Sequence, residues 1–479
     1  MGKPHRPGRN PTVPDHPPPG PPDNPDPDGP DPLDALFGGQ LPPELRETLR
    51  SMGMGQMDPA MLQMVQAQVQ AMMAGDDGSP INHTLATDTA RRAVAEAGDR
   101  SVAPSTARDV EQVVQVAALW LDEVTEFPPP DGGGRALSRA EWVEATMPVW
   151  RRVTEPVAAG VSAAMTAAMK DQMGQLGEDA TSGPPAIPGL PPGMDPAALL
   201  GQVEPMMRRM SSAMFGAQVG QAVGTLAGET VSGTEVGLPL LEGETVALLP
   251  ANVAAFAEGL EVDPGEVHLY LAVREAARVR LFAGVPWLGP HLLGAVEDYA
   301  RDISINTEGI EEALRTVDPQ DPAAMQQALA GSLFTPEPSS AQRAALARLE
   351  TYLALVEGWV DLACERAVAP HLPHADALAE AVRRRRASGG PAEKVFASLV
   401  GLELRPRRLR DAANLWAALD SEHGQAQRDR AWAHPDLAPT AADLDDPLGY
   451  AERFGRAGDG VDSGLDAELD KILREGGTR

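Results

Sequence analysis

Glu266-Val267-His268-Leu269-Tyr270-Leu271-Ala272-Val273-Arg274-Glu275-Ala276-Ala277-Arg278-Val279-Arg280-Leu281-Phe282 is helical by its spacing and carries charge where a helix carries its core. Asp263 is placed to cap the start, Pro264 fits the first helical position, and Glu266 stands where a capping-box acid belongs. Val267, Leu271 and Leu281 recur at helical spacing and define an apolar face. Arg274 and Arg278 fall on that same face, one turn apart, with Glu275 beside them. Guanidiniums on a core-facing stripe need anionic partners, because an unpaired buried charge is very costly.

The spacing Arg274-Glu275-Ala276-Ala277-Arg278 is also that of His-Glu-x-x-His, the helix motif of zinc proteases, with each histidine exchanged for arginine. Further stretches surround it: AEWVEATMPVWRRVTEPVA, MFGAQVGQAVGTLAGE, LLPANVAAFAEGLEV, YLAVREAARVRLFAGVPWL, LETYLALVEGWVDL, GLELRPRRLRDAANLW and RDRAWAHPDLAPTAADLDDP. On these, from about residue 80 to about residue 450, the chain resembles the actinobacterial zincin-like family, described as hydrolases or zinc-dependent metalloproteases. The resemblance implies a mainly α fold with a small β hairpin or sheet beside the active-site-type helix. It implies that members with an intact motif carry zinc-binding histidines where this chain has Arg274 and Arg278. It places Glu275 at the general-base position, and it makes Glu357 the candidate for the downstream ligand. Arginine cannot be deprotonated to serve as a ligand, so no metal and no other cofactor is expected here.

The spacing of the second helix suggests what replaces the metal. In LETYLALVEGWVDL, Leu353, Glu357 and Val360 share one face, and Asp361 follows Glu357 by about one turn. Arginine favours bidentate pairing with carboxylate. Arg274 and Arg278 are therefore expected to reach Glu357 as principal partner, with Asp361 as a second ion-pair candidate. Glu275, with no metal-polarised water to deprotonate, is expected in a surface or hinge ion pair.

The histidines do not form an obvious alternative site. His268 is rotated off the arginine face; His291, His371, His374, His423, His434 and His83 lie scattered, and none makes a convincing set of three. There is no Gly-x-Ser-x-Gly elbow, Walker loop or dinucleotide fingerprint. Cys364 reads as a small buried hydrophobe. The run Arg383 to Arg386 reads as a solvated helix end, and the run from Arg405 to Arg410 as pairing with acids inside the fold.

Composition limits the remaining classes. Of 479 residues, 43% are hydrophobic but only 4% aromatic, so the core must be built from Ala, Leu, Val and Met, which favours helices. A net charge of −29 argues against nonspecific nucleic-acid or anionic-membrane binding. No run of about twenty apolar residues is present, so no membrane insertion is expected. One cysteine excludes an internal disulfide, and a start without an apolar core lacks a secretory signal, so a cytoplasmic setting is expected.

The expected organisation is a disordered Pro/Asp-rich arm at 1–32, a Met-rich helical arm at 33–79 and an N-terminal helical subdomain at 80–175. A Gly/Pro-rich connector at 176–195, a zincin-like helical domain at 196–455 and a flexible tail at 456–479 follow. Gly216, Gly220, Gly224 and Gly228 recur every fourth residue and predict a flat ridge for close helix packing. VGLPLLEGETVALL at 236–249 predicts two short strands around a Glu-Gly turn. Two functions follow from the sequence. One is a binding or scaffold module, with an unidentified protein or peptide as partner, that has lost zinc and peptidase activity. The other is an active metal-dependent hydrolase with ligands brought together only by the fold.

Overall fold

Pro264 to Gly284 forms the helix around which the rest is wrapped, and every residue from Tyr270 to Leu281 on it is buried. The computed structural model describes residues 78–178, 196–301, 338–387, 395–397, 399 and 408–456. These all belong to one compact unit, Met72–Arg479. The expected arms at 1–32 and 33–79, apart from the last residues of the second, lie outside the described residues. So do most of the 176–195 connector, residues 302–337 of the expected 196–455 domain, and the 456–479 tail beyond its first residue.

The described helices are α1 (His83–Glu96), α2 (Pro104–Leu121), α3 (Arg139–Glu178), α4 (Pro196–Glu229) and α5 (Pro250–Ala257). After them come α6 (Pro264–Gly284), α7 (Leu288–Arg301), α8 (Ser340–Val368), α9 (Ala375–Ala387) and α10 (Leu409–Arg430). Their starts follow local chemistry. Asn82 caps α1 by accepting from the Leu85 amide, and Asp263 caps α6 by accepting from that of Gly265. Ser339 and Gln342 close a reciprocal capping box on α8. Glu266 does not complete such a box on α6; its carboxylate turns to the His374 ring, 3.1 Å away.

Helix α3 runs on through Pro148 and Pro156. Each proline removes a backbone donor. The buried side chains Trp142, Trp150, Val153 and Val157 nevertheless hold the helix against its neighbours, so packing outweighs local propensity. The foreseen hairpin at 236–249 is absent. Only its second half is a strand, β2 (Val246–Leu248), and it pairs in parallel with β1 (Gly134–Ala136), with Gly134 opposite Val246. Leu238 and Leu240 are buried without strand pairing, and Pro239 between them has no amide to offer a ladder. The partner strand lies inside DGGGRA, which reads as a turn.

The glycine ridge packs as expected. A Cβ on Gly216 would lie 2.4 Å from the Asn82 carbonyl oxygen, and one on Gly220 2.4 Å from that of Ala86. Gly228 faces open space. Gly220→Ala is therefore expected to cost about 1–3 kcal/mol by forcing α1 and α4 apart. Gly228→Ala is expected to be neutral or to stabilise by about 0.5–1 kcal/mol through helix propensity. Urea unfolding of the two variants checks this contrast; equal midpoints would remove the packing role. Among the described residues no helix is long and apolar enough to cross a membrane.

A second polar network locks the C-terminal part to the core. Asp429 accepts from the Thr125 hydroxyl at 2.6 Å, the Glu126 amide at 2.9 Å and the Trp359 indole at 2.9 Å. Arg428, fully buried, donates to Asp429 at 2.8 Å and to the Val124 carbonyl at 2.8 Å, and lies over the Trp359 ring.

Candidate functional site: a buried arginine–carboxylate cluster

Helix α6 presents Arg274, Glu275 and Arg278 into the interior, and α8 presents Glu357 and Asp361 opposite them. The expected pairs form. Arg278 Nε donates to Glu357 Oε1 at 2.9 Å, and its Nη2 to Oε2 at 3.3 Å, a bidentate contact. Arg274 Nη2 reaches Glu357 Oε2 at 3.3 Å, and its Nη1 lies 2.5 Å from Asp361 Oδ1. Tyr270 and Cys364 lie beside Arg274, where burial pushes the thiol up to about 12. Cys364 is thus the inert buried thiol expected of it.

Glu275 departs from expectation. It is fully buried, not a surface or hinge residue. A short segment, 231–234, runs along β2, held by Gly233 N to Ala247 O and Leu249 N to Val231 O, both 2.9 Å. That segment aims Ser232 and Thr234 at the carboxylate. The Ser232 hydroxyl donates at 2.7 Å, the Thr234 amide at 2.8 Å and the Thr234 hydroxyl at 2.9 Å. Arg278 Nη1 adds a fourth donor at 3.0 Å. A side chain on Gly233 would approach Glu275 Oε1 to 3.1 Å, so the close backbone passage suits glycine. Periodicity could not reveal this cradle, because three of its four donors come from a segment outside any helix that lies along β2.

The run Arg383 to Arg386 also departs. Arg383 and Arg384 stay in solvent and pair with Glu380, but Arg385 and Arg386 turn inward. Arg386 places a third guanidinium on Glu357 Oε2. At the other run, of which Arg405 and Arg407 lie outside the described residues, Arg408 pairs with Asp411 and Asp445, but at the surface and not inside the fold as expected.

The electrostatics separate the two glutamates. Burial alone would raise the Glu357 carboxyl, but Arg278, Arg386 and Arg274 together outweigh it and hold the group far below the ordinary carboxylate range. Burial raises Glu275, and Arg278, Ser232 and Thr234 offset only part of that. Arg280, unforeseen, is fully buried on another face of α6. It donates to the Ala118 and Phe127 carbonyls at 2.7 and 3.2 Å and pairs with Asp122 at 2.8 Å, tying α6 to the end of α2 and the loop after it.

The histidines remain dispersed. His371 stacks on Trp120, His291 meets Tyr352 edge-on, and His423 bonds the Ala451 carbonyl. Among the described residues no group of three or more His, Cys, Asp or Glu is gathered to hold a metal ion. At the motif itself guanidiniums stand where imidazoles would have to be, and they already engage Glu357 and Glu275. The donor set therefore does not fit zinc. Beside the cluster lies a cavity of about 260 Å³ between α6, α7 and the 234–245 loop, lined by Thr234, Pro239, Leu241, Val279, Phe282 and Pro290. Thr234 is shared between this cavity and the Glu275 cradle.

Comparison with known proteins matches this frame. A family model for zincin-like metallopeptidases matches residues 81–451. Among solved structures, a provisionally assigned hydrolase with a novel fold from Chloroflexus aurantiacus superposes with a TM-score of 0.52 at 17% identity, covering 78% of this chain and 99% of that one. Among curated proteins nothing matches the chain.

Proposed function

The chain belongs to the zincin-like metallopeptidase family, and from that premise we propose that it is a metal-free member without peptidase activity that acts as a binding or scaffold module. One observation carries the reading: the Glu357 carboxylate, the candidate downstream ligand, is taken up by the guanidiniums of Arg274, Arg278 and Arg386. Glu275, at the general-base position, is turned into a closed cradle of four donors with no surface exposed. A general base needs to reach the water or substrate proton that it removes. The fold offers instead the cavity of about 260 Å³ beside Thr234, mainly apolar in its lining and closer in size to a peptide side chain than to a larger ligand. A single, buried cysteine suits a reducing compartment, and the cytosol is where we place the module.

A peptidase assay with denatured casein and a degenerate peptide mixture tests this, run with and without added zinc on the parent and on Glu275→Gln. The expected result is no turnover by either protein. Zinc-dependent turnover in the parent that disappears in Glu275→Gln would overturn the proposal and establish an active hydrolase with a ligand set different from the motif.

A further inference from the structure

Arg386 differs from the other two arginines of the cluster in how it is held. Arg274 and Arg278 rise from α6, which is buried on all sides. Arg386 arrives from the last turn of α9, whose buried side chains are Leu378 and Val382 alone among its described residues. Ala375 and Ala379 pack against the core beside them, and charged contacts add to this attachment. Arg385 pairs with Glu235 at 3.2 Å, bonds the Glu229 carbonyl and lies 5.6 Å above the Phe256 ring, while Arg386 reaches Glu357.

The charges explain why a third guanidinium is there. Arg274 and Arg278 face three carboxylates, Glu275, Glu357 and Asp361. The neighbouring Arg385–Glu235 pair is balanced by itself. One more cation closes the count, and Arg386 supplies it at the side where the cluster meets solvent. The Arg386 side chain is 19% exposed and that of Asp361 26%, against 5% for Glu357. The mouth of the cluster is thus formed by Glu357 and Asp361, which Arg274 bridges, and Arg386 fills it at Glu357 from within the chain. A guanidinium suits it better than an ammonium, because its delocalised head is more weakly hydrated and loses less on leaving water beside carboxylates.

We propose that the mouth formed by Glu357 and Asp361 is a guanidinium-binding site, that Arg386 is its built-in occupant, and that an arginine side chain of a basic peptide partner exchanges with it. This deepens the binding-module reading and rests on it, naming the partner's chemistry. The net charge of −29 draws a basic peptide toward the surface. The internal arginine lowers the apparent affinity of any such partner by the fraction of time it fills the mouth.

Thermal melting of full-length Arg386→Ala with methylguanidinium, methylammonium or zinc chloride, each at matched ionic strength, tests the site. The variant is expected to melt below the parent. Millimolar methylguanidinium should restore most of the loss, methylammonium much less, and the parent should not respond. Equal responses of parent and variant, or equal effects of the two organic cations, would overturn the proposal. Failure of every cation to restore the variant would also overturn it, while leaving the metal-free reading intact. Rescue by zinc in place of methylguanidinium would overturn both. Arg386→Lys, which keeps a cation at the mouth, covers the case in which the alanine variant does not fold. By fluorescence anisotropy it should bind a labelled Ala-Arg-Arg-Ala peptide about tenfold tighter than the parent does. An unchanged affinity would contradict the internal occupant.

Discussion

Glu357→Ala is expected to lose about 3–5 kcal/mol of stability, because it leaves buried guanidiniums without their shared counter-charge. Arg278 loses its bidentate partner and keeps only Glu275 among the contacts given above. Arg274 keeps Asp361, which is part-exposed and less able to compensate. Glu357→Gln should fall between parent and alanine: one amide oxygen still accepts, but the amide nitrogen now faces donors. A combined variant, Arg274→Met, Arg278→Met and Arg386→Met with Glu357→Leu, should lose much less than Glu357→Ala. Replacing a whole buried ionic group by apolar side chains avoids the uncompensated charge. Urea denaturation measures all three. A Glu357→Ala protein that unfolds with the parent would mean the cluster is too well hydrated to matter.

The next largest effect is expected at Asp429. Asp429→Ala removes one acceptor from four donors at once, namely Thr125, the Glu126 amide, Trp359 and Arg428. With Arg428 fully buried, a loss of about 3–5 kcal/mol is expected. Arg408→Ala is the matched control, since Arg408 pairs with Asp411 and Asp445 nearer the surface. It should cost less than about 1 kcal/mol. Amide hydrogen exchange adds a local readout. The Glu126 amide should lose protection in Asp429→Ala and keep it in Arg408→Ala. A small loss in Asp429→Ala would show that α10 is held mainly by its own buried side chains Leu415, Trp416 and Leu419.

Helical periodicity carried the sequence reading where both partners sat on helices. Arg274 and Arg278 share a stripe on α6 and Glu357 and Asp361 share one side of α8, as spacing indicated, while the family resemblance, by setting both helices around one former metal site, implied that the four would meet, as they do. The Gly216–Gly224 ridge was legible for the same reason, as a repeat along one helix. Periodicity failed where a loop or a crossover decided the outcome. The Glu275 cradle depends on residues 231–234 lying along β2, and β2 depends on a strand more than a hundred residues earlier. Arg386 was misplaced because a basic run at a helix end ordinarily favours solvent and the helix dipole. Here a carboxylate short of counter-charge lies within reach. Arg280 was missed because α6 is buried on every side, a state that an amphipathic pattern does not anticipate.

Elemental analysis of the purified, dialysed full-length chain after incubation with excess zinc tests the central claim most directly. The account predicts no stoichiometric zinc, because guanidiniums hold the carboxylates that a metal would need. One zinc per chain that survives dialysis would contradict it.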